Sequence, residues 1–165
     1  MQIIQQILAL AALLLAVVAC RKVDTPVPYP TVGDKIPGFN VTGENGVTVT
    51  DADLTSGESL LVFFHTACPD CRKELEILRP FYDKYHDTVH IVLISREEDD
   101  TSVSRYWNEY GYSLPYVTRT NRYPYELFSD RGIPYVVYSV NGVVRGIWND
   151  TVLFSEEEFL KLHLL

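Results

Sequence analysis

Apolar and polar positions change rhythm several times along this chain, and each change marks an element. Residues 39–50 alternate on either side of Glu44-Asn45-Gly46, and a period of two with a turn at its centre predicts a β-hairpin. The run Leu60-Leu61-Val62-Phe63-Phe64 fills a strand over 59–64 that must be covered on both faces. The rhythm then lengthens. Leu75, Leu78, Tyr82 and Tyr85 form one apolar stripe with Phe81 beside it, which predicts a helix over 72–86. Pro80 lies inside that stripe and is expected to kink or end the helix, because it has no N–H to donate. Residues 89–94 read as a second buried strand. Asp99-Asp100-Thr101-Ser102 offers caps for a helix reaching Tyr110. A short strand broken by Pro115 is expected in 113–120, and a helical turn or two in 123–130. Residues 135–140, the Asn141-Gly142 turn and residues 143–148 form the clearest hairpin of the chain. Ser155-Glu156-Glu157-Glu158 reads as a capping box that opens a last amphipathic helix, burying Phe159, Leu160 and Leu164. A strand–helix–strand crossover followed by an antiparallel hairpin gives an α/β fold. Its central mixed β-sheet is flanked by helices on both faces, with the first hairpin as an N-terminal extension.

The first residues follow a different pattern. Residues 7–19 are an unbroken run of Ile, Leu, Ala and Val. That length suits the hydrophobic region of a signal peptide and falls short of the roughly 20 residues of a membrane span. The run ends in Val17-Val18-Ala19-Cys20, which resembles the lipobox of bacterial lipoproteins. The resemblance implies that Cys20 becomes the first mature residue and carries lipid. Met1 to Gln6 contain no Lys or Arg, so the amino terminus alone supplies the charge that usually precedes such a run. The alternative is an uncleaved anchor with Cys20 an ordinary thiol; both place the body of the protein at a membrane and outside the cytoplasm. Residues 21–30 contain Pro26, Pro28 and Pro30 and read as an extended tether, on the order of 30 Å long. The expected division is a signal peptide over 1–19, lipidated Cys20 and tether over 20–31, and one domain over 32–165. With 14 Lys and Arg against 22 Asp and Glu, the net charge is −8, which argues against nucleic acid as a partner.

Cysteine usage narrows the chemistry. Of three cysteines, Cys20 is accounted for by lipid, leaving Cys68 and Cys71 in a C-x-x-C spacing. A loop this short gains little as a structural staple, so redox work or metal binding is the better reading. The pair stands where a buried strand gives way to a helix. Free N–H groups and the positive end of the dipole at a helix start stabilise a thiolate, the attacking species. Cys68 is therefore expected to be exposed and to attack first, with Cys71 one turn further in and acting second. Pro69 suits a helix start. Asp70 should raise the thiol pKa, and Arg72 and Lys73 should lower it.

A second element, Gly132-Ile133-Pro134, precedes the strand at 135. Together with Phe63-Phe64-His65-Thr66-Ala67-Cys68-Pro69-Asp70-Cys71-Arg72-Lys73-Glu74, it resembles the thioredoxin superfamily. Val32-Gly33-Asp34-Lys35-Ile36-Pro37-Gly38-Phe39 is similar to the opening pattern of the TlpA/ResA-like redoxins. The resemblance runs from Val32 to about Leu164 and implies a thioredoxin-like fold. It implies that Pro134 is cis and, with Ile133, Pro69 and Asp70, shapes the groove where substrate backbone docks. It implies that Glu74 tunes or carries protons for the thiols, a role in which a carboxylate could take the proton of Cys71. As function it implies extracytoplasmic thiol–disulfide exchange with exported proteins, as a reductant, fed by an upstream membrane electron donor. The place implied is a bacterial membrane, with the domain facing the periplasm. No cofactor beyond the Cys68–Cys71 disulfide, and no metal, is expected.

The sequence departs from thioredoxin at two positions and from peroxiredoxins at a third. Val62 stands where thioredoxin has a buried Asp, Ala67 where a Trp often precedes the first cysteine, and His65 where peroxiredoxins have Thr. His65 could lower the thiol pKa or join a metal site, but an ordinary strand-end residue is the plainer reading. The tyrosines, among them Tyr106, Tyr110, Tyr112, Tyr116, Tyr123 and Tyr125, could line a groove but are more simply half-buried packing with polar tips. Two readings compete with exchange. One is a thiolate metal module, short of ligands with only two cysteines. The other is a non-catalytic interaction lipoprotein.

Overall fold

Alternation along two neighbouring strands decides the architecture. The computed structural model describes residues 29–163; the expected signal peptide, Cys20, most of the expected tether and Leu164 lie outside them. In chain order the strands are β1 (Asn40–Thr42), β2 (Thr48–Thr50), β3 (Glu58–Phe64), β4 (Val89–Ser95), β5 (Tyr116–Val117), β6 (Tyr135–Val140) and β7 (Val143–Asn149). The helices are α1 (Pro69–Tyr85), α2 (Asp100–Tyr110) and α3 (Glu156–His163). The main sheet has the order β5-β4-β3-β6-β7, with β3, β4 and β5 parallel and β6 and β7 antiparallel. Central β3 sends Leu60, Val62 and Phe64 to one face and Leu61 and Phe63 to the other, and both sets are buried. On the first face lie Leu75, Leu78 and Phe81 of α1, Val103 and Trp107 of α2, and Phe159 of α3. On the second lie the β1–β2 hairpin through Phe39, Val41 and Val49, and two short 3-10 turns through Leu54 and Tyr125. The sheet is thus flanked by helical elements, with all three α-helices gathered on one face.

α1 starts three residues before the stretch marked by its apolar stripe and runs on past Pro80. It begins at Pro69, whose missing N–H costs nothing in a first turn. It also continues through Pro80 to Tyr85. Pro80 is exposed, and the loss of one backbone bond there is outweighed by the burial of Leu78 and Phe81 on either side, each contributing about 1.5–3 kcal/mol. The buried seam of α1 is Cys71, Glu74, Leu75, Leu78 and Phe81, while Tyr82 and Tyr85 are only half-buried. In α3 Phe159 is buried as expected, but Leu160 is 36% exposed. The helix docks by a single row, and Leu160 lies one position off it. Half of the capping box forms, with the Glu158 N–H donating to Ser155 Oγ at 3.4 Å. The Glu158 carboxylate instead accepts from Trp148 Nε1 at 2.6 Å.

The opening segment does more than lead into the hairpin. Gly33 N–H donates to the Val144 carbonyl, Val144 N–H to the Asp34 carbonyl and Ile36 N–H to the Gly142 carbonyl, each at 2.9 Å. It therefore pairs with the start of edge strand β7 and leaves less of that edge open. At the other edge Asn45 reaches across to β5, its N–H donating to Thr118 Oγ at 3.1 Å and its side-chain amide to the Tyr116 carbonyl at 2.9 Å. Gly43 makes this approach possible. A Cβ there would lie 2.7 Å from Val117 Cγ1 and 2.9 Å from the Thr118 backbone nitrogen. Gly43→Ala is expected to destabilise the domain by about 1–3 kcal/mol, read as a lower urea midpoint at unchanged slope.

Candidate active site

β3 ends at Phe64 and α1 starts at Pro69, so the four residues between them are where the sheet hands the chain to a helix. Cys68 is the N-cap residue of α1, with extended backbone, and its sulfur accepts the Cys71 N–H at 3.4 Å. An N-cap side chain normally meets an orphan N–H of the first turn in this way, and here the acceptor is a sulfur. Cys68 is half-buried and Cys71 fully buried, and both are free thiols. Burial, and after it the hydrogen bond with Cys68, pushes the Cys71 thiol well above its ordinary value.

The Cys68 S–H donates to the Ile133 carbonyl at 3.5 Å. The Ile133–Pro134 peptide is cis, and Pro134 is buried with Ile133 half-exposed beside the thiol. The loop of Gly132 and the C-terminal end of β3, 65 residues apart, thus meet at one sulfur. Of the other residues expected here, Pro69 is exposed in the first turn of α1, and Asp70 is partly exposed and paired with Lys73 at 2.9 Å. Arg72 turns away from the thiols, its Nε donating to the Thr66 carbonyl and its guanidinium lying 5.5 Å from the Tyr106 ring centre.

Glu74 follows Cys71 by three residues on the same buried seam, so the two side chains are neighbours on one helix face. It is 1% exposed. Both carboxylate oxygens share one donor, the Phe154 N–H, at 3.2 and 3.3 Å. Burial pushes this carboxyl up to about 7, and the Phe154 N–H offsets only part of that rise. A carboxyl with that value is half-ionised at neutral pH and can both accept and return a proton.

The position of Thr66 was not singled out in the sequence, nor was that of Glu98. Thr66 is buried next to the dithiol, and its N–H donates to Glu98 Oε2 at 2.8 Å. Asp99-Asp100-Thr101-Ser102 is expected to cap a helix, and Asp99 does cap α2 by accepting the Ser102 N–H. His65 Nδ1 accepts the Ala67 N–H at 3.0 Å, which fixes the ring at the end of β3. Val62 is fully buried in the apolar core, so no carboxylate lies under the thiols from that side. The tyrosines divide into two groups: Tyr106, Tyr110, Tyr112 and Tyr116 gather with Trp107 beside α1, while Tyr123 and Tyr125 pack on the opposite face of the sheet. Among the described residues no three His, Cys, Asp or Glu side chains come together in a way that could hold a metal ion.

Comparison with known proteins agrees with this geometry. Thiol-disulfide oxidoreductase ResA of Bacillus thuringiensis is 32% identical over 85 residues, 51% of this chain and 49% of ResA. The chain therefore spans about half the length of the curated relatives it matches. Among solved structures, a candidate protein disulfide isomerase from Bacteroides thetaiotaomicron superposes with a TM-score of 0.68 at 24% identity, covering 81% of this chain and 86% of the other. The thioredoxin domain of a thiol-disulfide oxidoreductase from Bacteroides vulgatus superposes with a TM-score of 0.65 at 18% identity, covering 79% and 97%. The fold is thioredoxin-like. The Redoxin family model matches residues 31–136, which include β3, the C-x-x-C turn, Glu74 and Pro134, and the chain belongs to that family.

Proposed function

We propose that this protein is an extracytoplasmic thiol–disulfide oxidoreductase that reduces disulfides of exported proteins with the Cys68–Cys71 dithiol. The observation that carries the reading is the asymmetry of the two thiols. Cys68 caps a helix and reaches the surface, while Cys71 is sealed beneath it with a carboxyl of pKa about 7 one turn away. The relatives named thiol-disulfide oxidoreductase support it. The apolar run ending at Cys20 supports attachment to a membrane by lipid, facing the periplasm.

The cycle runs in two displacements. Cys68 loses its proton and its thiolate attacks one sulfur of the substrate disulfide. The substrate S–S bond breaks, a mixed disulfide forms, and the first substrate sulfur leaves as a thiolate and takes up a proton. Cys71 then gives its proton to the Glu74 carboxylate and attacks the Cys68 sulfur. The Cys68–Cys71 disulfide forms, the second substrate sulfur leaves as a thiolate and takes the proton back from Glu74, and two electrons have passed to the substrate. Pro69, Asp70, Ile133 and Pro134 frame the surface on which the substrate backbone would lie. A membrane electron donor then restores the dithiol.

The direct test is a redox titration. The protein is equilibrated in graded thiol–disulfide buffers, trapped with an alkylating reagent, and free Cys68 and Cys71 are read by mass. A reversible two-electron transition at low potential is expected. A transition at high potential would reverse the direction and make the protein an oxidant. A chain with no reversible transition would be no exchanger at all.

A further inference from the structure

Each residue between β3 and Cys68 is tied by its own hydrogen bond. The Cys68 N–H donates to the His65 carbonyl at 3.0 Å, and the Ala67 N–H donates to His65 Nδ1 at 3.0 Å. Both bonds stay within the turn. Thr66 is different, because its N–H and its hydroxyl go to the two carboxylate oxygens of Glu98, 32 residues further along the chain. Glu98 is 5% exposed. Its own backbone is fixed: its N–H donates to the Arg119 carbonyl at 2.8 Å, and its carbonyl accepts from Ser95 Oγ at 3.3 Å. Glu97 precedes it in the left-handed region at φ 59. From the other side Arg72 Nε of α1 donates to the Thr66 carbonyl. Every polar group of Thr66 is thus held, two of them by one buried carboxylate.

A buried carboxylate is costly unless its bonds are good ones. Glu98 Oε2 also lies 3.5 Å from His65 Nδ1, but both hydrogen bonds its carboxylate accepts come from Thr66. We propose that Glu98 is a positioning residue for Cys68, acting through Thr66; the proposal rests on the exchange reading of the dithiol. Glu98 touches neither sulfur. It fixes residues 65–67 so that the Cys68 sulfur stands on the Cys71 N–H and beside the Ile133 carbonyl. Without it, the Thr66 N–H is left buried and unpaired, the turn shifts to find a partner, and the sulfur loses its alignment with the helix start.

The test uses the full chain and four proteins: wild type, Glu98→Ala, Glu98→Gln and Thr66→Val. For each, the rate of Cys68 alkylation by iodoacetamide is followed across pH, the dithiol potential is measured, and stability is read in urea. Glu98→Ala is expected to slow alkylation at neutral pH about tenfold or more and to displace its pH profile, since misplacement by about an ångström costs that much or more. Glu98→Gln should stay within about threefold of wild type, because an amide oxygen accepts the Thr66 N–H and its NH2 donates to the hydroxyl. Thr66→Val deletes the hydroxyl alone and should fall between. A wild-type pH profile and potential in Glu98→Ala would overturn the proposal, and so would a Glu98→Gln as impaired as Glu98→Ala. If Glu98→Ala does not fold, an unchanged profile in Thr66→Val would overturn it. Alkylation needs no protein substrate. A chain inert toward disulfides whose Cys68 still responds to Glu98→Ala would sink the exchange reading and leave this one standing.

Discussion

Cys68→Ser is expected to lower kcat/KM for disulfide reduction by about a thousandfold or more, equivalent to roughly 4 kcal/mol of transition-state stabilisation. Cys68 is the one of the two thiols that reaches the surface, and the helix start serves its sulfur alone. Cys71→Ser should fail differently. Cys68 remains nucleophilic and attacks, but the buried second thiol that would release the substrate is gone. The mixed disulfide therefore accumulates, visible as a protein–substrate adduct on a non-reducing gel and by mass. The two variants together separate attack from release. If Cys71→Ser formed no adduct while Cys68→Ser accumulated one, the order of the two cysteines would be reversed. The half-buried position of Cys68 against the sealed position of Cys71 leads to the opposite expectation.

Glu74→Gln should change both stability and rate, each with a pH signature. Burial raises the folded-state carboxyl to about 7, against an ordinary value of 4.5. The folded chain therefore holds this proton more tightly than the unfolded chain does. Below pH 4.5 both states are protonated and the contribution to stability is complete. As pH rises from 4.5 the unfolded carboxyl ionises first and stability falls, until the folded carboxyl has ionised above 7. The full loss is roughly 3 kcal/mol by linkage. A glutamine keeps an acceptor for the Phe154 N–H and has no proton to lose. Urea unfolding under reducing conditions should show wild type and Glu74→Gln alike near pH 4, with the variant the more stable at pH 8. A variant with the same pH slope as wild type would mean that Glu74 does not carry this ionisation. Release of substrate from the mixed disulfide should in turn slow by about 10²-fold at neutral pH and lose its inflection near 7. Attack by Cys68 should change little.

Much of this site was legible in the chain itself. Cys68 and Cys71 stand between an apolar run and a helical stripe, and that alone places them at a strand-to-helix junction. The Asn141-Gly142 turn with alternation on both sides gave the β6–β7 hairpin in its correct place, and Asn141 does take positive φ, 51°. What failed to show were features decided by depth. Pro80 looks like a kink or an end when only local backbone bonding is weighed, and the pattern does not reveal that Leu78 and Phe81 on either side are held on the sheet, which rules out the end. Leu160 looks buried because it is apolar, yet α3 docks along one row. Glu74 was placed by its spacing from Cys71. Its pKa near 7 comes from burial in the folded core, offset only in part by the N–H of Phe154, 80 residues away, and no local pattern contains either. Glu98 is the extreme case. In a run of four acids, three are expected to be solvated, and nothing marks which one turns inward to bind a turn 32 residues earlier.

The pairing of the opening segment with β7 sets the point at which the upstream chain enters the domain. Gly33, Asp34 and Ile36 bond to Gly142 and Val144, at the end of the sheet where Val140 faces Glu58. Cys68 follows the opposite end of β3, on the order of 20 Å away for a seven-residue strand. A pull from upstream of Tyr29 therefore enters at the rear of the domain. It loads the antiparallel edge of the sheet, and the dithiol stays at the far tip of the lever.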